Sequence, residues 1–147
     1  MDNTEMNPKI IAEYVLCKYS WKYGISNLKL QEILYFIALA YFKKTKESLY
    51  DEPFWLNDAG IMLKSIYEKY MRYAAYPIAI PEVEPTMHPK AIKLISITMD
   101  KIFPNLYNGE LTNFIGRDGG VWDTYYYGMK RNLPVNALEL DLTFFDE

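Results

Sequence analysis

The sequence predicts a mainly α-helical fold, and three observations lead to this prediction. The longest apolar segment, residues 28–44, has the 3.6-residue periodicity of a helix. Three further segments repeat this periodicity, and proline, glycine or capping residues stand near their ends. We therefore expect a compact single-domain bundle of about five to six helices, which leaves room for a small β-hairpin or short edge strands.

The segment from Leu28 to Lys44 is expected to be the central helix of this bundle. Its apolar residues form one wide stripe: Leu30, Ile33, Leu34, Ile37, Ala38 and Tyr41. Other apolar residues fall outside the stripe, so the helix is apolar on almost every side. Few residues are expected to face water: Lys29, Gln31, Glu32, Lys43 and Lys44. Because Ser26 or Asn27 can cap the N-terminus, we expect the helix to begin there.

Shorter elements are expected on both sides of the central helix. Asn7 and Pro8 predict the start of a first helix, which Gly24 would end. The pattern predicts a third helix over residues 61–73 and a fourth from His88 to Phe103. Before the fourth helix we expect a brief extended stretch at 49–55 and a proline-rich connector at 77–89 with an edge strand at 78–80. After it we expect a short helix or turn at 108–114, a loop at 117–120, a last short helix at 121–129, and a strand or short helix at 133–145.

Length, cysteine content and charge limit the class of protein. The 147 residues predict one domain over residues 1–147, and a single cysteine, Cys17, indicates a reduced intracellular setting. The start does not resemble a signal peptide, and no segment is long and apolar enough for a membrane helix. The net charge is −3, and the acidic C-terminal segment 132–147 contains no base. This balance argues against nucleic-acid binding. We expect a cytoplasmic protein that does not bind membranes.

The residue types that usually carry catalysis are scarce. One histidine, His88, and one cysteine cannot supply a set of zinc ligands. His88 is expected to cap the fourth helix or to lie exposed, and Cys17 to be a buried structural thiol. The glycines of residues 116–120 form neither a Walker loop nor a dinucleotide fingerprint. We therefore expect no enzyme, no metal and no cofactor. The alternative is an enzyme that uses carboxylates such as Asp118 and Asp123.

Four pieces of the sequence resemble the Panacea domain, also called the SocA-like antitoxin family, and phage-associated proteins related to it. Residues 30–37 are similar to its Leu-Gln-Lys-Leu-Leu-Tyr-Phe-Ala motif, and residues 60–70 to its Gly-Pro-Val segment that leads to Val-Tyr and a second tyrosine. Residues 111–113 followed by Trp122 resemble its Leu-Thr-His and tryptophan. Its closing Ile-Pro motif and the apolar segment after it resemble residues 133–145.

The chain resembles this family as a divergent member. Glu32 stands where the family usually has lysine, Ile61 where it has proline, and Asn113 where it has histidine. The resemblance implies a mostly helical domain without enzymatic activity that binds and neutralises a neighbouring toxin. It also implies one alternative, because a relative serves as an adaptor that delivers its toxin to a protease.

A protein partner would be recognised through aromatic side chains, of which the chain has many, including 14 tyrosines. Tyrosine and tryptophan supply contact area at low entropic cost. The residues expected to contact the partner are Tyr35, Arg117, Trp122, Tyr125, Tyr126 and Tyr127. Three consecutive tyrosines cannot all face inward on a helix, so at least one lies at the surface.

A further alternative keeps the fold and changes the target. The protein would then be a phage-encoded or mobile-element-encoded inhibitor of a host defence nuclease, as anti-CRISPR proteins are. The acidic segment 132–147 would mimic phosphates in a basic cleft. The simpler interpretation of this segment is a solvated terminus, and the residue pattern does not decide between the two.

Overall fold

The structure is a computed structural model that describes residues 7–21 and 23–146. Helix α2, Asn27–Thr45, lies at the centre of the molecule. The Ser26 hydroxyl caps it by accepting a hydrogen bond from the Lys29 amide at 3.3 Å. Seven consecutive residues, 33–39, are buried, so the helix is covered on every side. It is covered by the helices Pro8–Tyr19, Lys64–Lys69 and Pro89–Ile102, the strand Gly60–Met62 and the 3₁₀ segment Val135–Phe145. The predicted mainly helical fold with a small β-hairpin is confirmed.

The described residues form six α-helices and three short strands. The helices are α1 Pro8–Tyr19, α2 Asn27–Thr45, α3 Lys64–Lys69, α4 Pro89–Ile102, α5 Glu110–Ile115 and α6 Val121–Tyr125. The strands are β1 Trp55–Asn57, β2 Gly60–Met62 and β3 Arg131–Asn132. Three 3₁₀ segments complete the secondary structure: Met71–Tyr73, Phe103–Asn105 and Val135–Phe145. We call the last of these the C-terminal segment.

The strands form one antiparallel sheet in the order β2-β1-β3. Strands β1 and β2 make a tight hairpin in which Trp55 pairs with Met62 and Asn57 with Gly60. The Asn57 side chain builds the turn, because its Oδ1 accepts hydrogen bonds from the amides of Ala59 and Gly60 at 2.9 and 3.1 Å. Such local bonding is the usual reason for asparagine in a turn.

Several predicted boundaries are wrong, each for a local reason. Helix α1 ends at Tyr19, and Gly24 instead forms a left-handed turn whose amide donates to the Ser20 carbonyl. The predicted helix 61–73 is shortened to α3 because residues 60–62 pair with β1. The predicted edge strand 78–80 is reduced to a hydrogen bond from the Ile78 amide to Ile25. The extended stretch predicted at 49–55 lies later, at β1.

The end of the chain also differs from its prediction. The helix predicted over 121–129 ends at Tyr125, and β3 then pairs with β1. The undecided segment 133–145 is 3₁₀-helical over its last eleven residues. Residues 1–6 and Glu147, which belong to the predicted domain 1–147, lie outside the described residues. Within the part that the structure describes, no helix is both long and apolar enough to traverse a bilayer.

Candidate functional site

A surface groove of about 410 Å³ lies between the N-terminal half of α2, the β1–β2 hairpin, α5 and α6. Its apolar lining comes from all four elements: Leu28, Ile61, Met62, Ile115 and Trp122. Its charged lining consists of Lys29, Glu32 and Asp58. A concave, mostly apolar surface with a few polar groups is the usual form of a binding site.

Gln31 fixes one wall of the groove by joining α2 to the hairpin. Its side-chain oxygen accepts a hydrogen bond from the Leu63 amide at 2.8 Å, and its Nε2 donates to Asn27 at 3.1 Å. Asn27 in turn donates to the Tyr67 carbonyl at 2.9 Å. The prediction that Gln31 faces water is therefore wrong, because its amide serves the backbone of a neighbouring element.

Trp122 and Tyr126 fix the opposite wall. The Trp122 indole Nε1 donates to the Asn57 carbonyl at 2.9 Å, and its ring stacks on Tyr126 with centroids 4.9 Å apart. The Tyr126 hydroxyl is hydrogen-bonded to the carboxylate of Asp58 at the hairpin turn. Two aromatic side chains thus hold α6 against the hairpin, and Trp122 also belongs to the groove lining.

Glu32 lies in the groove on α2, and only 14% of its side chain is exposed. Its Oε2 accepts a hydrogen bond from the Thr112 hydroxyl of α5, which joins the two helices. Within the described part of the chain its buried Oε1 has no hydrogen-bond partner, and the Lys29 Nζ lies 3.8 Å away. Burial raises the pKa of Glu32, while the Thr112 hydrogen bond and the Lys29 charge lower it in part. The periodicity of α2 predicts that Glu32 faces water, whereas most of its side chain is covered.

A second buried carboxylate, Asp141 of the C-terminal segment, is fully paired. It accepts hydrogen bonds from the Tyr35 hydroxyl at 2.5 Å, from Arg117 Nη1 at 2.8 Å and from the Val121 amide at 3.1 Å. Burial, and then the charge of Asp141, raise the pKa of Tyr35 well above its ordinary value, so the hydroxyl keeps its proton and donates. We call Tyr35, Arg117 and Asp141 the Asp141 network.

Arg117 holds the C-terminal segment through more than this ion pair. Its guanidinium also donates to the carbonyls of Phe114 and Leu140 and stacks on the Phe114 ring, 3.9 Å from the centroid. Gly120 makes this geometry possible, since a Cβ there would lie 2.7 Å from Arg117 Nη1 and 3.2 Å from Asp141. The network therefore ties α2, the loop before α6 and the C-terminal segment together.

The six predicted contact residues fall into separate places. Tyr35 is fully buried and Arg117 serves the Asp141 network, so the prediction that Tyr35 contacts a partner disagrees with its burial. Trp122 lines the groove, Tyr126 stacks on the Trp122 ring without lining the groove, and Tyr125 is half-buried against the core. Tyr127 is 69% exposed, with the Arg131 guanidinium 5.4 Å from its ring centroid. Its exposure agrees with the prediction that at least one of the three consecutive tyrosines lies at the surface.

Other candidate residues have local roles. His88 caps α4, since its Nδ1 accepts from the Lys90 amide at 3.0 Å. Cys17 is a free, half-buried thiol. Asp123 accepts a hydrogen bond from the Gly119 amide, and neither Asp118 nor Asp123 lines the groove. Among the described residues, no three His, Cys, Asp or Glu side chains are grouped as a metal site requires.

Sequence reasoning missed the groove itself, although it had singled out several of its residues as motif positions. Three of the four pieces that resemble the Panacea domain contribute to the lining: Gln31 and Glu32, Gly60 and Ile61, and Thr112 and Trp122. The signal that could have found the site was the presence of three polar residues, Gln31, Glu32 and Thr112, inside otherwise apolar helical patterns. Comparison of the chain with protein-family models, with curated proteins and with solved structures found no match. The resemblance therefore rests on the motifs alone.

Proposed function

We propose that this protein is a non-catalytic binding module that neutralises a partner protein, in the manner of an antitoxin, by covering part of its surface. The observation that carries the proposal is the groove, whose walls are held by hydrogen bonds on both sides. A preformed apolar surface that contains a tryptophan lowers the entropic cost of binding, and such residues dominate protein interfaces.

Exposed aromatic residues extend this surface beyond the groove. Lys29 lines the groove, and its Nζ lies 5.8 Å from the ring centroid of Tyr107. Tyr107 packs edge-to-face on Tyr23 and Phe103, with centroids 5.2 and 6.4 Å apart, and all three rings are exposed. Exposed aromatic clusters of this kind are typical of interaction sites. The groove and this cluster together form the proposed contact face.

The described acids of residues 132–147 do not favour the nuclease-inhibitor alternative. Asp141 is buried and paired with Arg117. Glu139 lies 3.0 Å from Lys46, and Asp146 lies 3.9 Å from Lys43. Each of these carboxylates thus has a base of the same chain beside it, which reduces the negative potential that a phosphate mimic requires.

The test is co-expression with the product of the adjacent gene, followed by growth rescue and purification of the complex. Leu28→Arg places a charge at the rim of the groove, where Leu28 is 49% exposed. Ile97→Arg on α4 is its matched control, because Ile97 is 52% exposed and does not line the groove. We expect Leu28→Arg to lose rescue and complex formation, and Ile97→Arg to keep both.

Other outcomes would favour the alternatives. Equal rescue by both variants would contradict the proposed contact face. Protease-dependent loss of the partner would favour the adaptor. Loss of all activity in Asp118→Ala or Asp123→Ala, with folding intact, would favour an enzyme.

A further inference from the structure

Glu32 is a polar group of the groove with one buried oxygen that lacks a hydrogen-bond donor among the described residues. Its carboxylate has one donor, the Thr112 hydroxyl, and its Oε1 has none. Lys29 Nζ is 3.8 Å from Oε1, which is too far for a hydrogen bond. A buried carboxylate without enough donors is costly, so a further donor from a bound molecule would satisfy it.

The position of Glu32 is fixed before anything binds. It lies inside α2, next to Gln31, whose amide is held between Asn27 and Leu63. The small exposed part of its side chain belongs to the groove lining. A ligand would therefore meet a carboxylate that does not have to be ordered on binding, which lowers the entropic cost.

The chemistry of the groove points to a cation on an apolar stem. Its described lining carries two acids, Glu32 and Asp58, and one base, Lys29. The remaining walls are mainly apolar, and they include Trp122, the side chain whose ring attracts cations most strongly. Arginine and lysine combine an apolar stem with a charged end, and they pair with carboxylates through charge-assisted hydrogen bonds.

We propose that the groove receives an arginine or lysine side chain of the partner protein, with its stem against Ile61 and Trp122 and its charged end at Glu32. This inference rests on the proposed function and names the partner's chemistry. Lys29 now lies between Glu32 and the Tyr107 ring, and an incoming cation takes its place beside Glu32.

The test is an NMR titration of the full-length protein with blocked Gly-X-Gly peptides, in which X is arginine, lysine or norleucine. The reporters are the Trp122 indole N–H and the backbone amides of Ile61 and Ile115. We expect saturable shifts for the arginine and lysine peptides, with dissociation constants of about 1 mM, as a single side chain allows. The norleucine peptide, which has the stem without the charge, should bind at least about tenfold more weakly.

Two variants separate the Glu32 charge from the net charge of the protein. Glu32→Gln keeps an oxygen for Thr112 and should lower the affinity for the basic peptides by at least about tenfold. Glu110→Gln makes the same charge change on α5, where Glu110 is exposed and does not line the groove, and should bind like the wild type. The inference is overturned if norleucine binds equally, if Glu32→Gln binds equally, or if no peptide shifts the reporters.

Lowering the pH supplies an independent readout. The charged groups that share the groove with Glu32 are Lys29 of α2 and Asp58 of the hairpin turn; the α5 and α6 residues in its lining carry no charge. Protonation of Glu32 removes the charge that binds the cation. Affinity for the basic peptides should therefore fall as the pH drops through the raised pKa of Glu32, and this fall should be absent in Glu32→Gln.

Failure of this inference can be told apart from failure of the proposed function. If Leu28→Arg abolishes neutralisation while Glu32→Gln neutralises like the wild type, the proposed contact face is supported. The inference that the groove receives a basic side chain of the partner is then wrong. If the basic peptides bind at Glu32 but no partner is neutralised, the inference that the groove binds a basic side chain is supported and the proposed function is wrong.

Discussion

Among the described residues, Asp141 is wholly buried and Glu32 is mostly removed from water, and the two carboxylates differ in how completely they are paired. Asp141 accepts hydrogen bonds from Tyr35, Arg117 and Val121, and it is fully buried. Glu32 accepts one hydrogen bond and has a second oxygen without a donor. The satisfied group belongs to the interior, while the unsatisfied one lies in a groove. Buried polar networks add rigidity when every member is paired. A buried polar atom without a partner needs an explanation, and a bound molecule that supplies the missing hydrogen bond is one.

The comparison also separates the predicted contact residues by role. Tyr35 and Arg117 supply two of the three donors to Asp141, so they maintain the fold that presents the groove. Trp122 lines the groove, and Tyr126 supports it by stacking on its ring. Aromatic residues are common in interiors as well as at interfaces, and an arginine paired with a buried acid also serves the interior, so only the contacts of these residues distinguish the two roles.

The largest expected effect comes from removing the paired carboxylate. Asp141→Ala leaves Arg117 without its ion-pair partner and the buried Tyr35 hydroxyl without an acceptor. Breaking a buried pair costs about 3–5 kcal/mol, so we expect a loss of that size in the free energy of unfolding, measured with urea. Asp118→Ala, an exposed acid in the same loop as Arg117, should change it by less than about 0.5 kcal/mol. Equal effects would mean that the network contributes nothing specific.

Removing one donor from the network should have a smaller effect. Tyr35→Phe deletes the hydroxyl that donates to Asp141 and keeps the buried ring. Hydrogen bonds to charged groups contribute roughly 1.5–3 kcal/mol, and we expect a destabilisation in that range by urea unfolding. Tyr50→Phe is the control, because the Tyr50 hydroxyl donates at 2.8 Å to the neutral carbonyl of Leu34. It should cost about 1 kcal/mol. A larger loss for Tyr50→Phe would contradict the special role of Asp141.

Glu32→Gln should behave in the opposite way to Asp141→Ala. Burial raises the pKa of Glu32 above its ordinary value of 4.5, so the folded protein binds this proton more tightly than the unfolded chain does. Wild-type stability therefore falls, through this group, as the pH rises from 4.5 through the raised pKa. Glu32→Gln has no carboxyl group to titrate, so its stability does not fall in this way. At neutral pH its free energy of unfolding should exceed that of the wild type by on the order of 1 kcal/mol.

Urea unfolding of both proteins over this pH interval checks the prediction. Glu110→Gln, which alters an exposed acid on α5, serves as the control and should follow the wild type at each pH. A Glu32→Gln variant that becomes less stable than the wild type as the pH rises would show that the Glu32 charge is well paired in the free protein. The contrast between the two buried carboxylates would then be lost.

The parts of the fold that could be predicted from sequence are those encoded by local periodicity. Helix α2 and helix α4, with its His88 cap and Pro89 start, were predicted within one or two residues because spacing and caps lie within the helix itself. A small β-hairpin was predicted, but its position was not, because Ile61 and Met62 fit a helical pattern as well as a strand and only pairing with β1 decides between them.

The candidate site could not be predicted as a whole, because its contacts join distant parts of the chain. Tyr35 and Asp141 are 106 positions apart, and Glu32 and Thr112 are 80 apart. Periodicity indicates which helix face is apolar, but it does not identify the polar side chain that pairs with a particular acid. For this reason the acids of residues 132–147 were considered as one acidic segment, although Asp141 lies in the core.

A third carboxylate, Glu139, should show the smallest effect. It lies two residues before Asp141, and its Oε2 is 3.0 Å from Lys46 Nζ, but both side chains are more than half exposed. Exposed ion pairs contribute little because water screens the charges and both side chains lose mobility. Glu139→Gln should change the free energy of unfolding by less than about 0.5 kcal/mol, measured with urea at low and high salt. A loss comparable to that of Asp141→Ala would mean that surface pairs, and not the buried network, hold the C-terminal segment on α2. Burial and donor number, rather than position in an acidic segment, should thus determine what each acid contributes.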